Sequence, residues 1–574
     1  MTQNLTGYPS IDKPWLKYYS EEAISAPLPE CTIYEYLWEN NKDHLDDIAI
    51  IYFNRKITYA DLFNNISRCE KALLKLGVKE NEIVTIALPS IPEVLYLVYA
   101  VNKIGAVANM IHPLAGESEI IHYLNEVKSS VCILFRGSYD IIKNSLEHTF
   151  VKTAVVVSVA ESFPFVMKQL YRVKTRESAV FGKDNVITWT TFLKCGEQVT
   201  VSPVKKDCNT AAIISHTGGT TGEPKGVVCS DKNINTVIWE IGCNFEYKRQ
   251  EIMMPVLPPF INYSLVNSML EPLSFGFKVV LIPKYESDKF DKYVEKYKPN
   301  HINSIPAYWK ALLTNKRIKN KDLSCLGHLF YGGEGMDEKS ERAVNDLLAS
   351  CGVKNKLAKG LGSTEMVSAA TAAYENCNLP GSVGVPLVKV NCKIVDVDTG
   401  EELSYDMEGE VCFSGPQLML GYYENKEATN EIIKVHKDGN RWIHTGDLGY
   451  LNKDGVLFIS GRIKRILMTK GKDGAPTKMF PVRIEKTILQ HSAVSICCVI
   501  GVADEIRINF PKAFVVLNDN RVNQEEISKE IMKLCEDNLP KYMIPEEIIY
   551  RTDLPRTARG KVDYRALEKE AETK

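Results

Sequence analysis

The spacing of hydrophobic positions alternates between helical and strand-like along most of the chain. Between Thr58 and Gly77 the apolar residues recur every three or four positions, which predicts an amphipathic helix packed on a core. Thr58 can cap the start of this helix, with Asp61 three positions later, and Gly77 can end it. A strand is predicted at 83–88 and a second helix at 91–104.

Short buried strands continue this alternation. We expect them at 154–157, 279–282, 301–305 and 329–331, whereas the pattern over 160–200 assigns no element. Strands that alternate with helices are typical of α/β layers with parallel pairing. The fold class expected is therefore α/β: a large N-terminal domain of several subdomains with layered sheets and helices, followed by a small mobile α+β domain.

The boundary between these domains is predicted from a change of pattern near Gly461. Before it, glycines separate short strands; after it, a glycine- and lysine-rich loop precedes a helix and two strands. We expect the boundary between Arg462 and Arg465. The large domain would then span 1–463 and the small domain 464–574.

Composition narrows the possible functions. The 574 residues suggest about three to four structural units. A net charge of -2 gives no electrostatic reason to expect nucleic acid or an anionic membrane as a partner. No apolar run approaches eighteen residues, so no membrane span is expected, and 1–19 lacks the apolar core of a secretory signal. The 15 cysteines include no CxxC pair, which favours a reducing cytoplasm and buried thiols at Cys497-Cys498.

The loop from Ser215 to Gly226 concentrates glycines, hydroxyls and a lysine directly after the apolar strand 211–214. Glycines let backbone N–H groups approach phosphate, hydroxyls donate further hydrogen bonds, and a lysine adds positive charge. The loop is not the usual P-loop, because Lys225 is followed by glycine rather than Ser or Thr. A passive surface turn is the alternative interpretation. The composition favours a triphosphate site.

Four further segments have related chemistry. They are Tyr331-Gly332-Gly333-Glu334-Gly335, Gly360-Leu361-Gly362-Ser363-Thr364-Glu365, Thr445-Gly446-Asp447 and Pro555-Arg556-Thr557-Ala558-Arg559-Gly560-Lys561. The first offers bare backbone for a flat base, and the second offers a hydroxyl and a carboxylate for phosphate and Mg²⁺. The third offers a carboxylate for a ribose, and the fourth offers a lysine. Each alone also fits an ordinary role: a turn cap for Asp447, a helix-start acid for Glu365, a surface lysine for Lys561. Their occurrence together indicates a nucleotide site.

With these motifs in this order, the chain resembles the superfamily of adenylate-forming enzymes, the acyl-CoA synthetase or AMP-dependent synthetase and ligase family. That superfamily includes acyl- and aryl-CoA synthetases, nonribosomal-peptide adenylation domains and beetle luciferases. The resemblance covers nearly the whole chain. Its landmarks are Ile57-Thr58-Tyr59, Gly409-Glu410, Gly421-Tyr422, Thr445-Gly446-Asp447, Gly461-Arg462 and Gly560-Lys561.

The resemblance implies a set of site residues. Those that would hold the β- and γ-phosphates of ATP are Thr217, Gly218, Gly219, Thr220, Thr221, Gly222 and Lys225. The adenine platform would be Gly333, Glu334 and Gly335, and the ribose clamp Asp447 and Arg462. The catalytic residues would be Thr364 on phosphate, Glu365 on Mg²⁺, and Lys561 between the substrate carboxylate and the α-phosphate. Lys464 matches the domain hinge, and Lys470 and Gly471 would reach the site in the thiol step.

The implied activity is ATP-dependent conversion of a carboxylic acid to acyl-AMP with release of pyrophosphate, then transfer of the acyl group to the thiol of coenzyme A. One alternative is a free-standing adenylating enzyme that loads the phosphopantetheine arm of an acyl carrier protein. An alternative of another class is a nucleotide-binding regulatory protein that has lost catalysis. The joint presence of Lys225, Glu365, Asp447 and Lys561 argues against the last.

Two departures from the family pattern concern the substrates. Ile261 stands where many acyl-CoA synthetases have a histidine and where amino-acid-activating members have an aspartate nearby, which argues against an α-amino acid. The acyl pocket is expected at Ile261, Tyr263, Gly360 and Gly362, and an apolar pocket would suit a fatty or aromatic acid. The loop 471–481 is longer than the family pattern, and Arg483 replaces a usual acid, so both thiol acceptors stay open.

Overall fold

The structure is a computed structural model that describes residues 5–175, 185–202, 204–217, 224–319, 321–470, 476–504, 508–519, 522–556 and 562–572. Its strands are β1 (Ile48–Tyr52), β2 (Arg55–Thr58), β3 (Ile83–Ala87), β4 (Val107–Met110), β5 (Val131–Phe135), β6 (Thr153–Val157), β7 (Val186–Thr188), β8 (Ala211–His216), β9 (Gly226–Ser230), β10 (Ile252–Met253), β11 (Lys278–Leu281), β12 (His301–Ser304), β13 (His328–Tyr331), β14 (Ala358–Lys359), β15 (Thr371–Ala372), β16 (Val385–Pro386), β17 (Asn391–Val395), β18 (Gly409–Ser414), β19 (Gly421–Tyr422), β20 (Ile433–Val435), β21 (Arg441–Leu451), β22 (Leu457–Arg462), β23 (Leu467–Lys470), β24 (Pro476–Met479), β25 (Val494–Asp504), β26 (Ile508–Leu517) and β27 (Glu547–Arg551).

The helices are α1 (Pro9–Asp12), α2 (Glu21–Ser25), α3 (Ile33–Asn41), α4 (Tyr59–Lys75), α5 (Pro92–Lys103), α6 (Glu117–Glu126), α7 (Arg136–Ile142), α8 (Phe165–Thr175), α9 (Trp189–Cys195), α10 (Asp231–Gly242), α11 (Asn262–Leu265), α12 (Glu271–Ser274), α13 (Phe290–Tyr297), α14 (Pro306–Thr314), α15 (Glu338–Ser350), α16 (Lys426–Ile432), α17 (Pro481–Leu489), α18 (Gln524–Asn538) and α19 (Tyr564–Glu572). A π-helical segment, Val266–Leu270, joins α11 to α12. No helix in the described ranges has the length and apolar character needed to cross a membrane.

Two large sheets form the centre of the N-terminal domain. Over the described residues one sheet has the strand order β19-β9-β8-β4-β3-β5-β6-β7 and the other β14-β13-β12-β10-β11-β1-β2. Pairing is parallel from β8 to β7 and from β14 to β1, and antiparallel at β19-β9, β9-β8 and β1-β2. Parallel strands connected by helices confirm the α/β class expected from the sequence.

The helix predicted after Thr58 is confirmed as α4. The Thr58 hydroxyl accepts a hydrogen bond from the backbone N–H of Asp61, whose carboxylate accepts from the N–H of Thr58. This reciprocal capping box satisfies two donors that the first turn leaves free. Gly77 follows the helix with a φ of +84°, a conformation that glycine adopts without the strain of a side chain.

A third, antiparallel sheet of β17, β18, β21, β20 and β22 follows the two large ones among the described residues. The small domain comes after it, with a β25-β26-β27 sheet, the β23-β24 hairpin and helices α17, α18 and α19. It has its own hydrophobic cluster, which includes Ile484, Val499 and Ile531. Cys497 and Cys498 are buried free thiols of β25, as predicted.

Lysines join the small domain to the large one. Lys339 donates to the carbonyl of Ser492 at 2.9 Å, and Lys486 donates to the carbonyl of Ile459 at 2.9 Å. Lys478 of β24 pairs with Asp398 at 2.8 Å. These contacts connect the small domain to the large one through α15, β22 and the residues after β17.

Candidate active site

One cavity of about 880 Å³ opens where β8, β12, β13 and β14 end. Residues separated by more than 200 positions in the chain meet there because the carboxyl ends of parallel strands lie on one edge. The sequence-predicted residues that line it are Thr217, Lys225, Ile261, Tyr263, Gly333, Glu334, Gly360, Gly362, Thr364, Glu365, Asp447, Arg462 and Lys464. Gly335 and Lys470 are described but do not line the cavity. Gly218, Gly219, Thr220, Thr221, Gly222, Gly471 and Lys561 lie outside the described residues.

The glycine- and threonine-rich loop is the connection of the β8-β9 hairpin. His216 pairs with Gly226, and the N–H of Thr217 donates to the carbonyl of Lys225 at 3.0 Å. The hairpin therefore brings Thr217 and Lys225 together at the cavity wall, on either side of the loop.

Tyr422 connects Lys225 to Glu365. The ammonium of Lys225 lies 5.1 Å from the centre of the Tyr422 ring, and the phenol donates to Oε1 of Glu365 at 2.8 Å. Burial, and then the nearby Glu365 carboxylate, raise the pKa of Tyr422, so the phenol keeps its proton and acts as a donor. The cation and the carboxylate are thereby held on one wall without neutralising each other directly.

The two glycines of Gly360-Leu361-Gly362 are required by a close backbone approach. A Cβ on Gly362 would lie 1.8 Å from the carbonyl oxygen of Ser368, and a Cβ on Gly360 would lie 2.3 Å from that of Thr371. Further along the chain, Val367 has a φ of +61° and a ψ of -61°, and the N–H of Ser368 donates to the carbonyl of Met366 at 2.7 Å. This is a γ-turn, a strained conformation for a β-branched residue, and it lies directly after Glu365.

Asp447 and Arg462 face each other across β21 and β22 at another wall. Nε of Arg462 lies 2.7 Å from Oδ1 of Asp447, and the same guanidinium donates to the carbonyl of Thr445 at 3.1 Å. The Asp447 residue is 8% exposed, so its carboxylate is shielded from bulk water except on the cavity side.

The backbone of β21 beside Asp447 is held by a half-buried pair that the sequence analysis did not assign. Glu410 accepts from the N–H of Gly446 at 3.0 Å and bonds Nδ1 of His444 at 2.7 Å. Burial alone would raise the pKa of Glu410, but the His444 hydrogen bond and charge lower it below its usual value. Glu410 thus stays ionised and fixes the backbone beside Asp447.

Ile261 and Tyr263, two of the residues expected in an acyl pocket, both line the cavity. Ile261 is 37% exposed at the start of α11, and Tyr263 donates to the carbonyl of Ser304 at 3.3 Å. A Cβ on Gly332 would lie 3.6 Å from the Tyr263 ring, so the tyrosine packs over the end of β13. Trp309 does not line the cavity. It packs in the core, and its indole N–H donates to the carbonyl of Phe330 at 3.1 Å.

Tyr422, Glu410 and His444 are the residues of this site that sequence reasoning missed. The dipeptides Gly409-Glu410 and Gly421-Tyr422 were visible as landmarks, but nothing in a linear pattern states which side chains meet. Antiparallel pairing of β18 with β21 brings Glu410 to His444, and pairing of β19 with β9 brings Tyr422 to Lys225.

This fold and this arrangement are those of an enzyme that binds adenosine phosphates. The chain belongs to the AMP-binding enzyme family, whose model matches residues 37–423. A second model, the AMP-binding enzyme C-terminal domain, matches residues 483–561. The resemblance inferred from the sequence is therefore confirmed.

Individual relatives are similar over almost their whole length. A long-chain-fatty-acid–CoA ligase of Bacillus subtilis (strain 168) is 27% identical, covering 98% of each chain. A probable 4-coumarate–CoA ligase 1 of Dictyostelium discoideum is 27% identical, covering 95% of this chain and 96% of its own. Among solved structures, the anthranilate CoA ligase AuaEII in complex with anthranoyl-AMP has a TM-score of 0.81 at 22% identity, covering 96% and 99% of the two chains. That structure supports the fold.

Proposed function

We propose that the protein is an ATP-dependent acid:thiol ligase, which converts a fatty or aromatic carboxylic acid to acyl-AMP and then transfers the acyl group to coenzyme A. One observation carries the proposal. A single cavity is lined by Lys225, Glu365 and the Asp447–Arg462 pair, and the same cavity continues past Tyr263. Family membership and the CoA ligases among the relatives support it.

The first step must make a carboxylate reactive. Its charge is delocalised and its leaving group would be oxide, so the enzyme forms a mixed anhydride with the α-phosphate of ATP and releases pyrophosphate. Two anions approach each other in this reaction. A cation placed where charge develops typically contributes several kcal/mol. We assign this role to Lys561, which lies outside the described residues.

We assign the remaining nucleotide contacts from the family pattern, and the positions of the described residues at the cavity support them. Thr217, Gly218, Gly219, Thr220, Thr221, Gly222 and Lys225 are assigned to the leaving pyrophosphate. Thr364 is assigned to the phosphates, and Asp447 and Arg462 to the ribose hydroxyls. Gly333, with a φ of +82°, exposes bare backbone beside Glu334 and Gly335, which supports the adenine platform.

Mg²⁺ fits the carboxylate of Glu365. The phenol of Tyr422 occupies Oε1, which leaves the second oxygen as a hard ligand of the kind that Mg²⁺ takes together with substrate phosphates and water. When bound, the ion would neutralise phosphate charge. Glu365 is the residue of this chain that would hold it.

The second step needs a different arrangement of the domains, which we place at 1–463 and 464–574. Lys470 is exposed on β23 and does not line the cavity, so rotation about Lys464 would be needed to bring it and Gly471 to the acyl-AMP. Such a rotation is lid gating by a rigid domain. It would break the contacts of Lys339, Lys478 and Lys486 with their partners across the domain interface.

The test is pyrophosphate release with ATP and Mg²⁺ over a panel of fatty, aromatic and amino acids. Acid-dependent release is expected, followed by a thioester when coenzyme A is added. Loading of a holo acyl carrier protein without a CoA thioester would make the carrier the acceptor. No acid-dependent release from any acid would favour the nucleotide-binding regulatory protein.

The 15 free cysteines support our proposal of a cytoplasmic location.

A further inference from the structure

The cavity continues beyond Tyr263 along one wall built from α11, the π-helical segment and α12. Tyr263, Asn267 and Glu271, at spacings of four residues, all line it. The π-helical segment Val266–Leu270 widens the helix at the turn that carries Asn267. Such π-bulges are frequent at functional sites. This wall therefore presents one residue per turn to the cavity.

Two strands of the seven-stranded sheet form the facing wall. His301, Asn303 and Ile305 of β12 and its end line the cavity, as do His328, Phe330 and Gly332 of β13 and its end. Alternate residues of a strand share one face, so each set follows one face of the sheet. Four residues from Ile305 back to His301 correspond to roughly 13 Å. The cavity is thus a tunnel that runs from the nucleotide end toward the amino ends of the strands.

The inner end of this tunnel is polar. Glu271 is 2% exposed, and one of its oxygens accepts from the Tyr247 phenol at 2.6 Å. Asn267 is 5% exposed, and its Oδ1 makes no hydrogen bond to any described residue. His301 bonds Glu251 at 3.0 Å and stacks on His328, with ring centres 5.0 Å apart.

An unsubstituted hydrocarbon chain would leave Oδ1 of Asn267 without a hydrogen-bond partner among the described residues. Buried polar groups that lose their hydrogen bonds are unfavourable, and a site built to hydrogen-bond a hydroxyl rejects an analogue that lacks it. Aromatic side chains of Phe245 and Tyr247 also line this end, so the tunnel combines apolar walls with convergent polar atoms. That combination is typical of a specific ligand site.

Two of the polar groups at the inner end, Glu271 and His328, are neutral near pH 7. Burial raises the pKa of Glu271 to about 8, so its carboxyl carries a proton that it can donate. Burial, and then the neighbouring His301, lower the pKa of His328, so that imidazole is uncharged. Neither a carboxylate nor an ammonium on the ligand would find an opposite charge on Glu271 or His328 without changing their protonation states.

We propose that the tunnel selects a carboxylic acid that bears a hydroxyl group far from its carboxylate, and that Glu271 and Asn267 bind this hydroxyl. The inference rests on the proposed function, because it takes the acid's carboxylate to lie at the nucleotide end. The inference narrows the proposed substrates from fatty or aromatic acids in general to those that carry a hydroxyl group at the distal end.

The experiment compares fatty and aromatic acids with their distally hydroxylated counterparts, pair by pair, in two measurements. Calorimetry gives binding of each acid without ATP, and pyrophosphate release gives kcat/KM. We expect the hydroxylated member of a pair of fitting length to be preferred by at least about tenfold in both. Glu271→Leu and Asn267→Leu should each remove most of this preference, and Glu271→Gln, which can still hydrogen-bond, should retain it.

Glu240→Leu is the matched control. Glu240 is another fully buried carboxyl whose pKa burial raises to about 8, but it does not line the cavity. Its replacement should leave the ratio between paired acids unchanged. Pyrophosphate release with no preference for hydroxylated acids, or with a preference for amino-terminated ones, would overturn this inference while leaving the proposed function intact. Preferential binding without pyrophosphate release from any acid would support the tunnel assignment and overturn the proposed function.

Discussion

Arg462 and Asp447 are joined by an ion pair of 2.7 Å between Nε and Oδ1, across two neighbouring strands of the large domain. Three positions later, Arg465 pairs with Glu485 of the small domain, also at 2.7 Å. Each arginine is thus anchored in a different domain. Ile463 and Lys464 lie between the two anchors, which supports Lys464 as the hinge.

The proposed ribose clamp gives the first prediction. Asp447→Asn should raise the KM for ATP by about tenfold to a hundredfold, because a hydrogen bond to a charged group contributes about 1.5–3 kcal/mol. Initial rates of pyrophosphate release over a range of ATP concentrations measure this. Asp454→Asn, at a surface aspartate paired with Lys17, is the control and should leave the KM for ATP unchanged. An unchanged KM in Asp447→Asn would remove the residue from the nucleotide site.

Tyr422 gives the second prediction. Tyr422→Phe keeps the ring next to Lys225 but removes the hydrogen bond to Glu365, whereas Tyr422→Leu removes both. We expect Tyr422→Phe to slow acid-dependent pyrophosphate release by roughly fivefold, the effect of about 1 kcal/mol for one hydrogen bond. Tyr422→Leu should slow it further. If both variants match the parent in rate and Mg²⁺ dependence, the phenol does not position Glu365.

The two-step assignment predicts opposite effects for two variants. Lys561→Ala should abolish adenylation yet largely spare thioester formation from supplied acyl-AMP, because we assign the lysine to the first step only. Lys464→Pro should do the reverse, since proline restricts the backbone at the proposed hinge. The two half-reactions are measured separately for each variant. Equal loss of both steps in Lys561→Ala, or normal thioester formation in Lys464→Pro, would contradict the assignment.

The pH dependence of stability follows from three buried carboxyls. Burial raises the pKa of Glu93 to about 7 and that of Glu240 and Glu271 to about 8. An unfolded glutamate has a pKa of about 4.3, so the folded state binds more protons above that value and loses stability as the pH rises toward 8. Each carboxyl contributes a slope of at most about 1.4 kcal/mol per pH unit. Glu271→Gln should lose less unfolding free energy than the parent between pH 5 and 8; an unchanged slope would contradict the buried, protonated state.

The sequence predicted elements well where periodicity was long and capped, as at α4, and it predicted the family from short motifs. It assigned nothing over 160–200, where the structure has α8, β7 and α9. The sequence also predicted many of the residues that line the cavity, because clusters of glycines, hydroxyls and acids can be recognised in a linear sequence. Tyr422 and His444 contact residues of neighbouring strands. Asn267 and Glu271 lie on a helix that faces a sheet across the cavity. These contacts depend on tertiary structure, which no local sequence pattern contains.

The measurement closest to the central claim is the product balance of a single reaction with ATP, Mg²⁺, coenzyme A and a panel of acids that includes distally hydroxylated members. The account predicts acid-dependent formation of AMP, pyrophosphate and acyl-CoA in equal amounts. Formation of ADP and phosphate, or nucleotide binding without turnover of any acid, would contradict it.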